Sequence, residues 1–152
     1  MKLRKVLPML AVASFSLAAC ASKVDYKQFH EKATAVKAHE YTAASVKIEG
    51  KYSFLGASVE INDTVKCSYV AAAWLAASDN KAGEAATYVA TALINVKAAD
   101  VPEQSGAEYY AGGSFKVVIK DGDDKGTMQF NSFGLLTSIK SDDLKVSVSY
   151  SK

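Results

Sequence analysis

Arginine is almost missing from this chain. The one copy, Arg4, lies among the first five residues, and nothing after it offers the planar two-point grip that best holds a carboxylate or phosphate. Recognition of an acidic ligand by the body of the protein therefore rests on lysine and backbone amides. Histidine is nearly as scarce. His30 and His39 stand too far apart to be neighbours on one helical face, so the spacing gives no transition-metal site and orients no base beside a nucleophile. No apolar run reaches membrane-spanning length, and no repeat or low-complexity linker divides the chain. The 18 basic and 16 acidic residues leave a net charge of only +2, and the lysines form no cluster along the sequence. That excludes nucleic acid as an expected partner, because phosphate binding needs a concentrated positive excess.

What is present begins at the amino terminus. Lys2, Arg4 and Lys5 make a positive tip, residues 6–17 are apolar and almost uncharged, and the run closes on Leu17, Ala18, Ala19 and Cys20. Charge, apolar core and small-residue end read as a secretory signal peptide over residues 1–19. The closing Leu, Ala, Ala, Cys resembles the lipobox of bacterial lipoproteins. That resemblance implies cleavage before Cys20, a diacylglyceryl group on its thiol, and a lipid-anchored protein in the cell envelope, on the extracytoplasmic side of the cell membrane or outer membrane. The alternative is an ordinary cleaved signal that happens to end in cysteine. Without its first 19 residues the chain keeps 133, a single domain of ordinary size, with 15 lysines against the 16 acids. Residues 20–24 would form a short lipidated tether and residues 25–152 one domain. With Cys20 acylated, Cys67 has no disulfide partner, and its place on an apolar phase predicts a buried, inert thiol. A Cys20–Cys67 bridge would require the lipobox reading to be wrong.

Beyond the tether, Asp25 is placed to cap a helix over residues 25–37, with Tyr26, Phe29, Ala33 and Val36 on one side. From residue 45 the period changes to two. Val46, Ile48, Tyr52 and Phe54 alternate with polar residues, and after Gly56 the phase inverts through Val59, Ile61, Val65, Cys67 and Tyr69. A tight turn at Gly56 would place both apolar sets on the same side of a long hairpin. Gly50, on the dry phase, predicts a bend or bulge. Residues 70–77 are alanine-rich around Trp74 and Leu75 and favour a third strand over a helix. A second helix is expected over 81–96, capped by Asp79 or Asn80, and Pro102 and Gly106 mark a loop. A meander of strands follows over 114–120, 126–130, 135–140 and 144–150.

The expected class is α+β: a curved antiparallel β-sheet, or half-barrel, with an N-terminal helix and a central helix packed on one face. In this order, and in the segment from Phe130 through Asn131, Ser132, Phe133 and Gly134 to Leu135, the body resembles the unclosed β-barrel of lipoproteins of the LolA, LolB and LppX type. Such a resemblance implies a hollow that holds acyl chains. No arginine matches the lid-locking one of the carrier subgroup, which bears on carrier activity and leaves the fold expectation intact.

Three segments imitate chemistry. Asp121, Gly122, Asp123, Asp124, Lys125 and Gly126 look like the start of a calcium loop, but Lys125 stands at a ligand position and Ser132 where a bidentate Glu is required, so a hairpin turn is expected. Ser78 to Lys81 mimics elements of penicillin-binding enzymes without their spacing and is read as a loop. Gly112 and Gly113 precede a strand and make no phosphate cradle. The reading is thus a non-enzymatic lipoprotein with no cofactor and no metal. Its partners are the membrane, through Cys20, and a lipid or other apolar small molecule in the concave sheet face. The candidate lining residues are Val46, Ile48, Tyr52, Phe54, Tyr69, Trp74, Tyr88, Phe115 and Phe130. The alternative is a structural or partner-binding lipoprotein with a filled core.

Overall fold

The computed structural model describes residues 21–152; the expected signal peptide over residues 1–19 and the expected lipidation at Cys20 lie outside the described residues. Among the described residues the chain forms a nine-stranded antiparallel sheet and two helices, with the sheet left open between its edge strands. In chain order the elements are β1 (Ser22–Val24), α1 (Tyr26–Thr34), β2 (Ala43–Phe54), β3 (Ala57–Val70), β4 (Ala73–Ala76) and α2 (Glu84–Ile94). After a 3-10 turn (Ala98–Asp100) come β5 (Glu108–Ala111), β6 (Phe115–Asp121), β7 (Asp124–Phe130), β8 (Leu136–Lys140) and β9 (Leu144–Ser151). The spatial order is β1-β5-β6-β7-β8-β9-β2-β3-β4, so β9 returns to close against the first long hairpin.

The expected hairpin at Gly56 is present. Phe54 pairs with Ala57 across Leu55 and Gly56, whose φ values of 53° and 79° make the left-handed two-residue turn that matches strand twist. Gly50 differs from expectation. Pairing runs through it without a bulge, to Ile61 on one side and Leu144 on the other, while its φ is 120° and the Asp143 carbonyl crowds its Cα. The break in register lies instead at Gln129/Phe130, between β7 and β8.

The alanine-rich stretch resolves as a second tight turn. Val70 pairs with Ala73 across Ala71 and Ala72, both at positive φ although neither is glycine, a conformation that costs about 1–2 kcal/mol per residue. The clamp that holds it is remote in sequence. Asn95, just after α2, accepts from the Trp74 backbone N–H at 2.9 Å and donates to the Trp74 carbonyl at 2.9 Å and the Thr91 carbonyl at 2.7 Å. Its side-chain amide thus occupies the free edge of β4 as a further strand would.

Two strands escaped the sequence reading. Ser22–Val24, expected within a tether, pairs with Tyr109 to Ala111 as the edge of the sheet, and Glu108–Ala111 joins it to β6. The tether expectation is corrected for these residues: the first strand begins two residues after Cys20. Both helices are shorter than expected. The second is capped from the sheet, since Gly83 precedes it and donates its N–H to the Asp63 carboxylate of β3 at 2.9 Å. Asn80 serves the loop before it, accepting from the Ala82 N–H and donating to the Thr87 hydroxyl.

Register carries one row of side chains across eight strands: Val24, Tyr109, Val117, Met128, Ile139, Val146, Ile48 and Asp63 are successive cross-strand partners on the same side of the sheet. Two buried clusters grow from this side. One joins Val46, Ile48, Val65, Cys67 and Val146 to Val89, Ala90 and Ile94 of α2. The other joins Phe29 and Ala33 of α1 to Tyr109, Phe115, Val117 and Phe130. Leu93 and Ile139 border both. Cys67 is a buried free thiol, and burial pushes its pKa up, away from reactivity.

Candidate functional site

The side of the sheet that bears the core is not covered along its whole length. Next to the row through Met128, Ile139, Val146 and Ile48 runs another in which Ile119 pairs with Gly126, and Leu144 with Gly50. Gly126 raises no side chain there, and α2 reaches the area only with Leu93 near its end; at Gly50 the missing side chain instead admits the Asp143 carbonyl. The result is an open cleft of about 530 Å³. Its apolar walls are Tyr52, Leu93, Ile119, Met128, Ile139 and Leu144, and the turns at its mouth contribute Asp124, Asp142 and Asp143. A hollow of that size falls within the ordinary range for small-molecule sites.

The nine candidate residues separate sharply on the structure. Tyr52 lines the cleft, half-buried, opposite Val59 on the far part of the long hairpin that β9 does not reach. Val46, Ile48, Trp74, Phe115 and Phe130 are at most 3% exposed and serve as core rather than lining. Tyr69 belongs to an aromatic nest described below. Tyr88 is 66% exposed on α2 and faces away from the core. Phe54 lies in β2 opposite Ala57, next to the turn. Sequence reasoning missed Leu93, Ile119, Met128, Ile139 and Leu144. Their signal was an apolar phase on four separate strands and one helix, which alone does not say which of them meet.

The nest gathers His39, Tyr41, Tyr69, Trp74 and Tyr150. His39 has its ring 4.5 Å from that of Tyr69 and 5.8 Å from that of Trp74, and its Nδ1 accepts from the Tyr41 backbone N–H at 3.0 Å. The loop before β2 thus folds the half-buried His39 ring back onto the aromatics. Tyr150 donates to the Leu136 carbonyl at 2.6 Å, and burial pushes its phenol pKa well above the usual value. The Trp74 indole N–H is buried without an acceptor among the described residues, which costs about 1–3 kcal/mol and marks the nest as packing rather than a polar site.

Partial burial, and secondarily the charge of Lys97, hold the His39 pKa below its ordinary 6.5. The unfolded chain thus binds this proton more readily than the folded one. Stability is fully present above about pH 6.5 and falls as pH drops through the lowered folded value. The melting temperature should decrease between about pH 7 and pH 5, with a smaller decrease in His39→Gln. Glu108, held low by hydrogen bonds from Tyr110 and Lys120, loses its contribution at lower pH.

The segments that imitate catalytic or metal motifs behave as turns. Asp121 pairs with Asp124 across a two-residue turn with Gly122 at a φ of 67°, as the hairpin expectation required. Among the described residues no group of three His, Cys, Asp or Glu side chains converges as a metal site would require. No helix of the described residues is long and apolar enough to cross a membrane. Comparisons with protein-family models, curated proteins and solved structures return no match to this chain.

Proposed function

We propose that this chain is a bacterial envelope lipoprotein, moored through acylated Cys20 on the extracytoplasmic side of a membrane, whose domain binds an apolar ligand without chemical turnover. In this reading the sheet is a half-barrel of the LolA, LolB and LppX type, with α1 and α2 gathered on its concave side. The ligand, a lipid chain or a molecule of similar character, lies along the second row of that face, between Leu93 and the turns that join β6 to β7 and β8 to β9. The observation that carries the reading is the apolar cleft of about 530 Å³ over Gly126. Burial of a flexible chain there removes apolar surface from water at roughly 25 cal/mol per Å².

Gly126 supplies the test. A Cβ at this position meets only the Lys140 carbonyl at 3.8 Å and Ser141 at 4.0 Å, ordinary contacts, so Gly126→Val fills the cleft without straining the backbone. Binding of a fluorescent fatty acid to the purified protein should weaken by about tenfold or more, equivalent to ~1.4 kcal/mol, with the melting temperature unchanged or raised. Equal binding by parent and variant would remove the cleft as the site.

A second reading has its own support. Most of the space under the helices is filled, with Val46, Ile48, Phe29 and Val146 fully buried. A structural lipoprotein that binds a protein partner needs only that filled core. Absence of any fatty-acid binding by the parent protein selects it.

A further inference from the structure

The register that assembles the core also sorts the charges. On the side of the sheet opposite the core, Lys23, Tyr110, Lys116, Gln129, Ser138, Ser147, Lys47 and Thr64 are successive partners across eight strands. The neighbouring row brings Lys140 against Lys145, and beyond it Lys120 pairs with Lys125 and Lys51 with Glu60. With Lys66 of β3, this face holds nine of the 15 lysines in residues 21–152, against three glutamates, Glu49, Glu60 and Glu108. Six lysines and thirteen carboxylates lie elsewhere. A chain almost neutral in total is therefore strongly polar across its sheet, with a basic outer face and an acidic remainder.

The ion pairs on the face do not cancel this. Half-buried Glu108 lies 3.6 Å from Lys23 and 3.4 Å from Lys120, while Glu49, 3.5 Å from Lys47, and Asp79, 3.4 Å from Lys66, make pairs on more exposed side chains, where such contacts contribute little. Lys125, Lys140 and Lys145 are exposed and have no ion pair among the described residues.

We infer that this outer sheet face docks on an anionic phospholipid surface. The inference rests on the mooring of the chain at Cys20. Charge complementarity supplies one argument and the position of β1 the other. That strand is the edge of the sheet, it contributes Lys23 to the basic row, and it starts two residues after Cys20. Even a fully extended link holds the edge within about 10 Å of the acylated residue. A basic face so close to headgroup phosphates lies within roughly one Debye length of them. Docking in this orientation turns the cleft away from the bilayer.

The test uses the full chain with Cys20→Ser, which has no thiol to acylate, sedimented with phosphatidylcholine vesicles with and without phosphatidylglycerol. Binding should be tighter with phosphatidylglycerol present, and that gain should weaken as salt is raised. A second protein adds Lys125→Gln, Lys140→Gln and Lys145→Gln and carries the same leader, so the leader's own affinity drops out of the comparison. It should bind phosphatidylglycerol vesicles roughly a hundredfold more weakly while melting at the parent temperature. A third adds Lys27→Gln, Lys32→Gln and Lys37→Gln, at and after α1, and should bind like the parent. Equal loss in the second and third proteins, equal binding to both vesicle types, or tighter binding to duplex DNA than to vesicles would each overturn the inference. No acyl group takes part, so such a failure leaves the anchor standing. An unmodified Cys20 in the processed protein would instead remove the anchor and leave this result intact.

Discussion

Cys20→Ser should transfer the protein from the membrane pellet to the supernatant of cells expressing the full precursor, the largest effect any single substitution in this chain is expected to have. The reason is the size of what the thiol would carry. Two acyl chains of about thirty buried methylenes in all, at ~0.8 kcal/mol each, hold a protein in a bilayer with on the order of 20 kcal/mol, against which the other contacts are small. The sheet adds a weaker, salt-sensitive attraction, so any serine protein left in the pellet should come off in a high-salt wash while the parent does not. Mass spectrometry of the parent should find the processed chain beginning at a modified Cys20. Serine protein that stays in the pellet through high salt would overturn the mooring.

Gly50→Ala should lower the melting temperature by roughly 10 °C or more, corresponding to about 3 kcal/mol of lost stability. The Cβ that alanine adds would stand 2.0 Å from the Asp143 carbonyl oxygen and 3.0 Å from its carbon, on a residue whose φ of 120° alanine rarely adopts. Relief requires moving the turn between β8 and β9, which breaks the hydrogen bond from the Lys51 N–H to that carbonyl at 2.8 Å and the last pairing between β2 and β9. Gly56→Ala is the control. Its φ is also positive, at 79°, but no atom lies within 4 Å of the added carbon, so only the backbone preference of about 1 kcal/mol is lost. Equal melting temperatures for the two variants would mean that β9 does not approach Gly50 as described. The same turn carries Asp142 and Asp143 at the mouth of the cleft, so Gly50→Ala should also impair ligand binding, unlike Gly56→Ala.

The parts of the fold legible in the sequence are those in which one strand states its own environment. Residues 45–69 alternate dry and wet because one side of the hairpin meets the helices and the other meets water, and Gly56 marks the inversion. The later strands and the hairpin turn at Asp121 to Asp124 were readable for the same reason. Glu108–Ala111 was not, since Tyr109 and Tyr110 place rings on both sides and blur the alternation. Ser22–Val24 is too short to show any period. Ala71 and Ala72 turn without turn residues, held by Asn95 more than twenty positions away.

The cleft was less legible than the fold. Of the candidate lining residues Tyr52 borders it, and Val46, Ile48, Trp74, Phe115 and Phe130 fill the core. An apolar phase says that a side chain leaves water, and burial in packing satisfies it as fully as burial against a ligand.

The amino-acid order by itself determined the antiparallel class and the central hairpin, because each depends on residues close together in the chain, and the near-balance of charge, which is composition alone. Tertiary structure alone decided which strands became neighbours. That choice set Gly126 among Ile119, Met128 and Ile139 to open a cleft, and it brought nine scattered lysines onto a single face. Strand registers are fixed by contacts between distant segments, and local composition holds no record of them.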